Sequence, residues 1–146
     1  MGSGFRENKA LAKDRENPKW TYERGEGRYK HRWINDYPGF EPGSKGPVGK
    51  CPKTIDEKLA TEILNDGVPY FDSQDQGTPA KIYCVYRGAV YELVPTQPGV
   101  SWHGYPWRGD LAGRAPLPRK IKRQLEEKAE KSGFLKEYTS WMKFYG

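Results

Sequence analysis

The residues best suited to chemistry lie in one short segment, residues 101–108, with the sequence SWHGYPWR. His103 is one of two histidines in the chain, and an imidazole can accept or donate a proton near neutral pH. Tyr105 can donate a hydrogen bond, and Arg108 can hold a phosphate and stabilise charge in a transition state. We therefore expect metal-independent cleavage of a nucleic acid, with His103 as the acid/base and Tyr105 and Arg108 as its helpers.

Other kinds of site have less support. A lone histidine among aromatic residues is also commonly a structural hydrogen-bonding residue, so that alternative stays open. The acidic residues are scattered, and the sequence contains neither a phosphate-binding loop nor a dinucleotide fingerprint. Cys51 and Cys84 are the two cysteines and lie in no CxxC motif. We expect no metal and no cofactor, and a Cys51–Cys84 disulfide only in an oxidising compartment.

A small antiparallel sheet is expected to position this segment. Residues 82–94 form two runs of β-branched and aromatic residues on either side of an Arg-Gly dipeptide, which predicts a β-hairpin. A strand near residues 100–104 should follow. Because alternate residues of a strand point to one face, Ser101, His103 and Tyr105 should share a face of the sheet.

Three helices are expected around this sheet. Residues 54–66 begin with Thr54 and Glu57, the spacing of a capping box, and continue with apolar residues at helical spacing. Residues 118–132 begin with Pro118, which favours the first helical position, and residues 135–145 form a clearly amphipathic helix. The predicted fold is therefore α+β, with one helix before the small antiparallel sheet and two after it.

The first third of the chain has a different character. Residues 1–50 show no sustained helical or strand period and are broken repeatedly by Gly and Pro. Their aromatic content is nevertheless higher than a disordered segment would carry. We predict an extended, basic, N-terminal arm over residues 1–50 that packs its aromatic residues on the main domain or on a partner. Residues 51–146 are predicted to form a single α+β domain.

The charge of the chain is concentrated at its two ends. Lys and Arg number 11 against 7 acids in residues 1–50, 4 against 7 in residues 51–100, and 10 against 5 in residues 101–146, a total of +6. Basic ends favour an anionic partner, with nucleic acid first. The metal-independent chemistry expected at His103 favours RNA over DNA, because a base can remove the proton of the RNA 2′-hydroxyl. A solvated basic surface is the plainer alternative. The phosphate-binding candidates are Arg28, Lys30, Arg32, Arg114, Arg119, Lys120 and Arg123.

The sequence contains no apolar run of transmembrane length and no hydrophobic leader in its first twenty residues. From these features we expect no membrane insertion and a cytoplasmic location in the producing cell.

Two short segments carry a resemblance to a known group of proteins. The sequences VYELVP at residues 90–95 and WHGYP at residues 102–106, followed by two C-terminal helices, resemble the C-terminal toxin modules of bacterial polymorphic toxin systems. The resemblance covers residues 80–146. It implies a small, basic, mixed α/β nuclease that is restrained by an immunity protein and delivered by a non-Sec secretion system. It also implies His103 and Tyr105 as active-site residues.

The sequence thus predicts a toxin or effector that acts on nucleic acid, in the form of a small metal-independent nuclease. Two alternatives stay open. One is a non-catalytic module that binds nucleic acid or an acidic protein, and the other is a phage or secretion assembly protein that uses its N-terminal arm to dock on a neighbouring subunit.

Overall fold

The computed structural model describes residues 20–23, 37–42, 48–52, 54–72, 78–98, 100–110 and 116–146. These residues form an α+β fold, which confirms the predicted class. The strands and helices, in chain order, are β1 (Thr21–Tyr22), β2 (Gly39–Glu41), β3 (Val48–Lys50), α1 (Glu57–Asn65), β4 (Val68–Tyr70), β5 (Lys81–Tyr86), β6 (Ala89–Gln97), β7 (Ser101–Pro106), α2 (Arg119–Ser132) and α3 (Leu135–Tyr145).

A five-stranded sheet with the order β1-β7-β6-β5-β4 organises the fold. The three pairs formed among β4, β5, β6 and β7 are antiparallel, and β1 pairs with the outer side of β7 in parallel. Strands β2 and β3 form a separate antiparallel pair. The short strands β4 and β1 are the two edges of the main sheet, and Pro69 stands opposite Ile82 in the middle of β4.

The predicted hairpin is confirmed as β5 and β6. Arg87 and Gly88 connect the strands with φ angles of 52° and 86°, and two positive φ angles are what a type I′ hairpin turn requires. The glycine has a second role, because a Cβ at residue 88 would lie 2.3 Å from Glu137 Cβ. The turn therefore also allows α3 to approach the sheet closely.

Two parts of the sheet differ from the prediction. Strand β6 runs on to Gln97 with an irregular register between Pro95 and Gln97, so the following turn is shorter than expected and β7 extends from Ser101 to Pro106. Strand β4 is an additional strand that the sequence did not predict. Its pairing with β5 is a long-range contact that no local pattern in residues 68–70 indicates.

Helix α1 begins later than predicted. Asp56 is its N-cap, and the Asp56 carboxylate accepts a hydrogen bond from the backbone N–H of Leu59 at 2.8 Å. The prediction of Thr54 as the cap was wrong, because the Asp56 side chain caps the helix and Ile55 N–H, just before it, donates to Pro52 O at 3.2 Å. Likewise, Pro118 is the N-cap of α2 and not its first helical residue.

The helices pack on one face of the sheet, to which Ile82 and Cys84 of β5 point. Gly67 follows α1 and lies against both residues, since a Cβ there would come within 2.5 Å of Ile82 Cγ2 and 2.7 Å of Cys84 Sγ. Burial raises the pKa of the Cys84 thiol, and the charge of Lys128 on α2 partly opposes this rise. Helix α3 joins this layer, because Tyr138 donates a hydrogen bond to a backbone oxygen of α2 at 3.2 Å.

The described parts of the predicted N-terminal arm pack against the domain. The rings of Trp20 and Trp102 meet edge to face with centroids 6.0 Å apart. The Asn65 side chain of α1 accepts from Trp20 N and donates to Trp20 O, at 2.9 and 2.8 Å. The ring of Phe40 in β2 lies 6.1 Å from that of Trp141 in α3.

Candidate functional site

The side chains of the central strands divide between two faces of the sheet. Since Ile82 and Cys84 point to the helices, Lys81 and Tyr83 point to the opposite face. The strand register continues this face across the sheet, with Tyr83 opposite Glu92 on β6 and Glu92 opposite Tyr105 on β7. His103 lies two residues before Tyr105 and shares its face. We call this surface the polar face, and define it by Lys81, Tyr83, Glu92, His103 and Tyr105.

A buried carboxylate lies at the centre of the polar face. The Glu92 side chain is 1% exposed, and it accepts hydrogen bonds from the hydroxyls of Tyr105 and Tyr83. The Lys81 ammonium lies 3.3 Å from Glu92 Oε2, and its own side chain is 39% exposed. A buried charge is tolerated only when it is paired and hydrogen-bonded, so these three partners make Glu92 compatible with the sheet interior.

The protonation of Tyr83 follows from this arrangement. Burial raises the pKa of its hydroxyl well above the ordinary value, and the neighbouring Glu92 carboxylate raises the pKa further. Tyr83 therefore remains protonated at neutral pH and acts only as a hydrogen-bond donor to Glu92. Tyr105 donates to the same carboxylate but is less deeply buried, so its ring reaches the surface of the polar face.

His103 is oriented by a residue of the neighbouring strand. Its Nδ1 atom lies 2.7 Å from Thr96 Oγ1 on β6, and this contact fixes the plane of the half-buried ring. Val94 stands directly opposite His103, so Glu92 is its diagonal neighbour on the same face. Diagonal neighbours in an antiparallel pair are about 7–8 Å apart. The polar face therefore places an imidazole, a phenol and an ammonium group within reach of one small ligand.

Arg108 lies in a different cluster. Its guanidinium forms two hydrogen bonds with the Asp110 carboxylate, at 2.6 and 3.2 Å. The same group lies over the rings of Phe40 and Tyr145, 5.1 and 5.2 Å from their centroids. The hydrogen bond with Asp110 raises the pKa of Arg108, so the side chain is charged at all relevant pH values. These contacts tie Arg108 to the C-terminal end of α3, whereas His103 and Tyr105 lie together on the polar face.

The predicted phosphate-binding residues are only partly described. Arg119, Lys120 and Arg123 are exposed on α2, which packs on the side of the sheet opposite the polar face. The predicted residues outside the described part of the chain are Arg28, Lys30, Arg32 and Arg114.

The residues that complete the polar face were not identified from the sequence. Lys81, Tyr83 and Thr96 gave no signal by themselves. Glu92 did give one, since it is a single acidic residue inside the apolar run VYELV. A two-residue turn at residues 87–88 also fixes the register, and counting back from that turn pairs Tyr83 with Glu92. This face could therefore have been partly derived from the turn type and strand alternation.

The described residues contain no group of three or more His, Cys, Asp or Glu side chains placed to hold a metal ion. Cys51 and Cys84 are both free thiols. Among the helices that the structure describes, none combines the length and apolar character needed to cross a membrane.

Comparison with known proteins adds no relative. No model of a known protein family matches the chain, and no curated protein or solved structure matches it either. Inference about function therefore depends on the geometry of the polar face.

Proposed function

We propose that the protein is a toxin-type ribonuclease that cleaves RNA without a metal ion and uses the polar face as its active site. One observation supports this above the others, namely that His103 and Tyr105 lie on one sheet face beside Lys81 and the buried Glu92 carboxylate. Cleavage of RNA by its own 2′-hydroxyl requires a proton acceptor, a cation near the phosphate and rigid positioning. The polar face offers a candidate for each of these roles.

The proposed reaction is an internal transesterification. His103 takes the proton of the 2′-hydroxyl, and the 2′ oxygen attacks phosphorus. The bond from phosphorus to the 5′ oxygen breaks, and the leaving oxygen receives a proton from solvent water. His103 then releases the proton that it took to the resulting hydroxide, which regenerates the neutral imidazole. The products are a 2′,3′-cyclic phosphate and a 5′-hydroxyl end, with no net oxidation or reduction.

The remaining residues of the polar face stabilise the charge that develops on the phosphate or hold the reacting groups in position. The exposed part of Lys81 supplies positive charge to the phosphate oxygens as charge develops on them. Tyr105 presents its ring and hydroxyl next to His103. Glu92 is buried, so it does not touch RNA in this proposal. Glu92 instead holds Tyr105 and Lys81 in place and is a positioning residue.

The test is an incubation of purified protein with end-labelled tRNA, single-stranded DNA and duplex DNA, with and without EDTA. We expect cleavage of RNA alone, unaffected by EDTA, with 2′,3′-cyclic phosphate ends. His103→Ala should reduce the rate about 10²- to 10⁴-fold, the usual contribution of a general acid or base, without lowering the melting temperature. Lys81→Ala should also reduce the rate, because it removes the cation proposed to face the phosphate. Lys143→Ala, which removes an exposed cation of α3, is its matched control. Undiminished cleavage by His103→Ala would exclude the polar face as the site.

A second function, nucleic-acid binding without catalysis, is favoured by the exposed basic residues Arg119, Lys120 and Arg123 of α2. If about five of the seven predicted phosphate-binding residues each neutralise one phosphate of duplex DNA, the slope of log K against log salt should be near −4 to −5. A flat plot would exclude that function.

On the resemblance to toxin modules, we further propose that an immunity protein is a partner and that a non-Sec secretion system delivers the protein out of the producing bacterium.

A further inference from the structure

We infer that the polar face binds unpaired RNA, and that Tyr70 of β4 stacks on a base next to the bond that is cleaved. This inference rests on the proposed function and adds to it the substrate class and a residue for recognition. Tyr70 has no part in the acid/base chemistry proposed for His103.

Tyr70 extends the polar face to the edge of the sheet. It stands opposite Lys81 in the register of β4 and β5, so its side chain lies on the same face as Lys81. Its ring meets that of Tyr83 edge to face, with centroids 6.5 Å apart and planes at 69°. Tyr83 is buried, whereas Tyr70 is half-buried. The Tyr70 ring is thus supported from one side by Tyr83 and is partly accessible to a ligand.

The spacing of the strands gives the length of ligand that this face can hold. Three strand intervals of about 4.8 Å separate β4 from β7, so about 14 Å separates Tyr70 from the strand that carries His103. Lys81 lies between them. A short RNA strand that crosses the face would therefore pass one phosphate near Lys81, between a base on Tyr70 and the reacting bond at His103. A sheet surface of this kind usually stacks two or three bases.

The chemistry of the face favours unpaired over paired RNA. Aromatic rings on a sheet bind bases by stacking, and only bases that are released from a helix offer both faces to a side chain. In the part of the chain that the structure describes, all three helices pack on the other side of the sheet. The exposed portion of Lys81 supplies the positive charge of this face that complements the phosphate backbone. The occupant inferred from these features is a single-stranded segment or loop of RNA.

The first experiment measures cleavage kinetics on an oligoribonucleotide and on the same sequence paired in a duplex. We expect the single strand to be the better substrate. Stacking on one aromatic residue is typically worth a factor of about 5 to 150, so Tyr70→Ala should raise KM by that factor and leave kcat within about twofold. Tyr70→Phe keeps the ring and should behave as wild type. Phe144→Ala, which removes a ring that is 75% exposed on α3, is the matched control.

A second experiment measures binding without cleavage. The His103→Ala protein is titrated with the fluorescently labelled oligoribonucleotide, and Tyr70→Ala in this background should weaken Kd by the same factor. Melting temperatures accompany every variant. If Tyr70→Ala lowers the melting temperature, Tyr70→Leu replaces it, because leucine fills the same space against Tyr83 but does not stack on a base.

The outcomes separate the inference from the proposed function. Equal cleavage of single strand and duplex, or an unchanged KM for Tyr70→Ala and Tyr70→Leu, would overturn the inference and leave the ribonuclease in place. If the wild-type protein cleaves no RNA, the proposed function fails. The binding experiment alone then decides whether the polar face binds unpaired RNA through Tyr70. A Tyr70-dependent Kd supports recognition of unpaired RNA, and a Kd that Tyr70 does not affect refutes it.

Discussion

The hydrogen bond from Tyr83 to Glu92 should be measurable as a coupling between the two residues. Tyr83 is 6% exposed, and a hydrogen bond to a charged acceptor contributes about 1.5–3 kcal/mol to stability. Tyr83→Phe should therefore lower the free energy of unfolding by about that amount. Glu92 keeps Tyr105 and Lys81 as partners in this variant, so the loss should not exceed the value of the single bond.

Tyr83→Phe should no longer lower the free energy of unfolding when Glu92 is absent. Glu92→Leu leaves the Tyr83 hydroxyl buried without its acceptor, and a buried group left without a partner costs about 1–3 kcal/mol. Replacing Tyr83 by Phe in that background removes the unpaired hydroxyl. We therefore expect Tyr83→Phe to be neutral or stabilising there. The expected coupling energy between the two positions is at least about 1.5 kcal/mol.

The assay is urea unfolding at pH 7 for the four proteins of this double-mutant cycle, followed by tryptophan fluorescence. Tyr86→Phe is the matched control. Tyr86 lies on the same strand, but its side chain points to the other face, so it should show no coupling to Glu92→Leu. If Glu92→Leu does not fold, Glu92→Gln provides a milder second background. An equal effect of Tyr83→Phe with and without Glu92 would refute the proposed arrangement of the polar face.

Two further predictions concern the helices. Burial raises the pKa of Tyr138 from 10.0 to about 12, so its contribution to stability is complete below pH 10 and is lost as pH rises toward 12. In urea unfolding at pH 9 to 11.5, the free energy of unfolding of Tyr138→Phe should fall less steeply with pH than that of the wild-type protein. The difference between the two slopes should correspond to about one proton, and equal slopes would contradict this pKa. At the start of α1, Asp56→Ala should lower the free energy of unfolding by about 0.5–2 kcal/mol, whereas Thr54→Ala should change it by less than about 0.5 kcal/mol. The reverse order in urea unfolding would restore Thr54 as the cap.

The parts of the fold that local sequence predicts are those held by local interactions. The hairpin at residues 82–94 has its own turn residues, and α3 has its own apolar stripe, so both could be derived without knowing their partners. Strands β1 and β4 could not. Each is two or three residues long and exists because a neighbouring strand offers hydrogen bonds, and nothing within such short segments indicates which strand that is.

Local sequence likewise predicts the position of some residues of the candidate site and not of others. His103 and Tyr105 could be placed on one face because they are two residues apart on a single strand. Arg108 was grouped with them because it is near in sequence. Its position is set instead by Asp110, Phe40 and Tyr145, two of which are distant in the chain, and local sequence carries no information about those contacts.

The two edges of the sheet have a consequence for how the protein behaves at high concentration. Strand β5, with the apolar sequence IYCVY, has the composition of segments that form intermolecular β-sheets. It pairs with β6 over Ile82–Tyr86 and with β4 over Lys81–Tyr83, so β4 covers the first half of its outer edge. The strands that do face outward are short, and Pro69 gives β4 one backbone position without an N–H group to donate. The folded protein therefore presents a poor template for strand addition, and aggregation should require β4 to separate from β5 first.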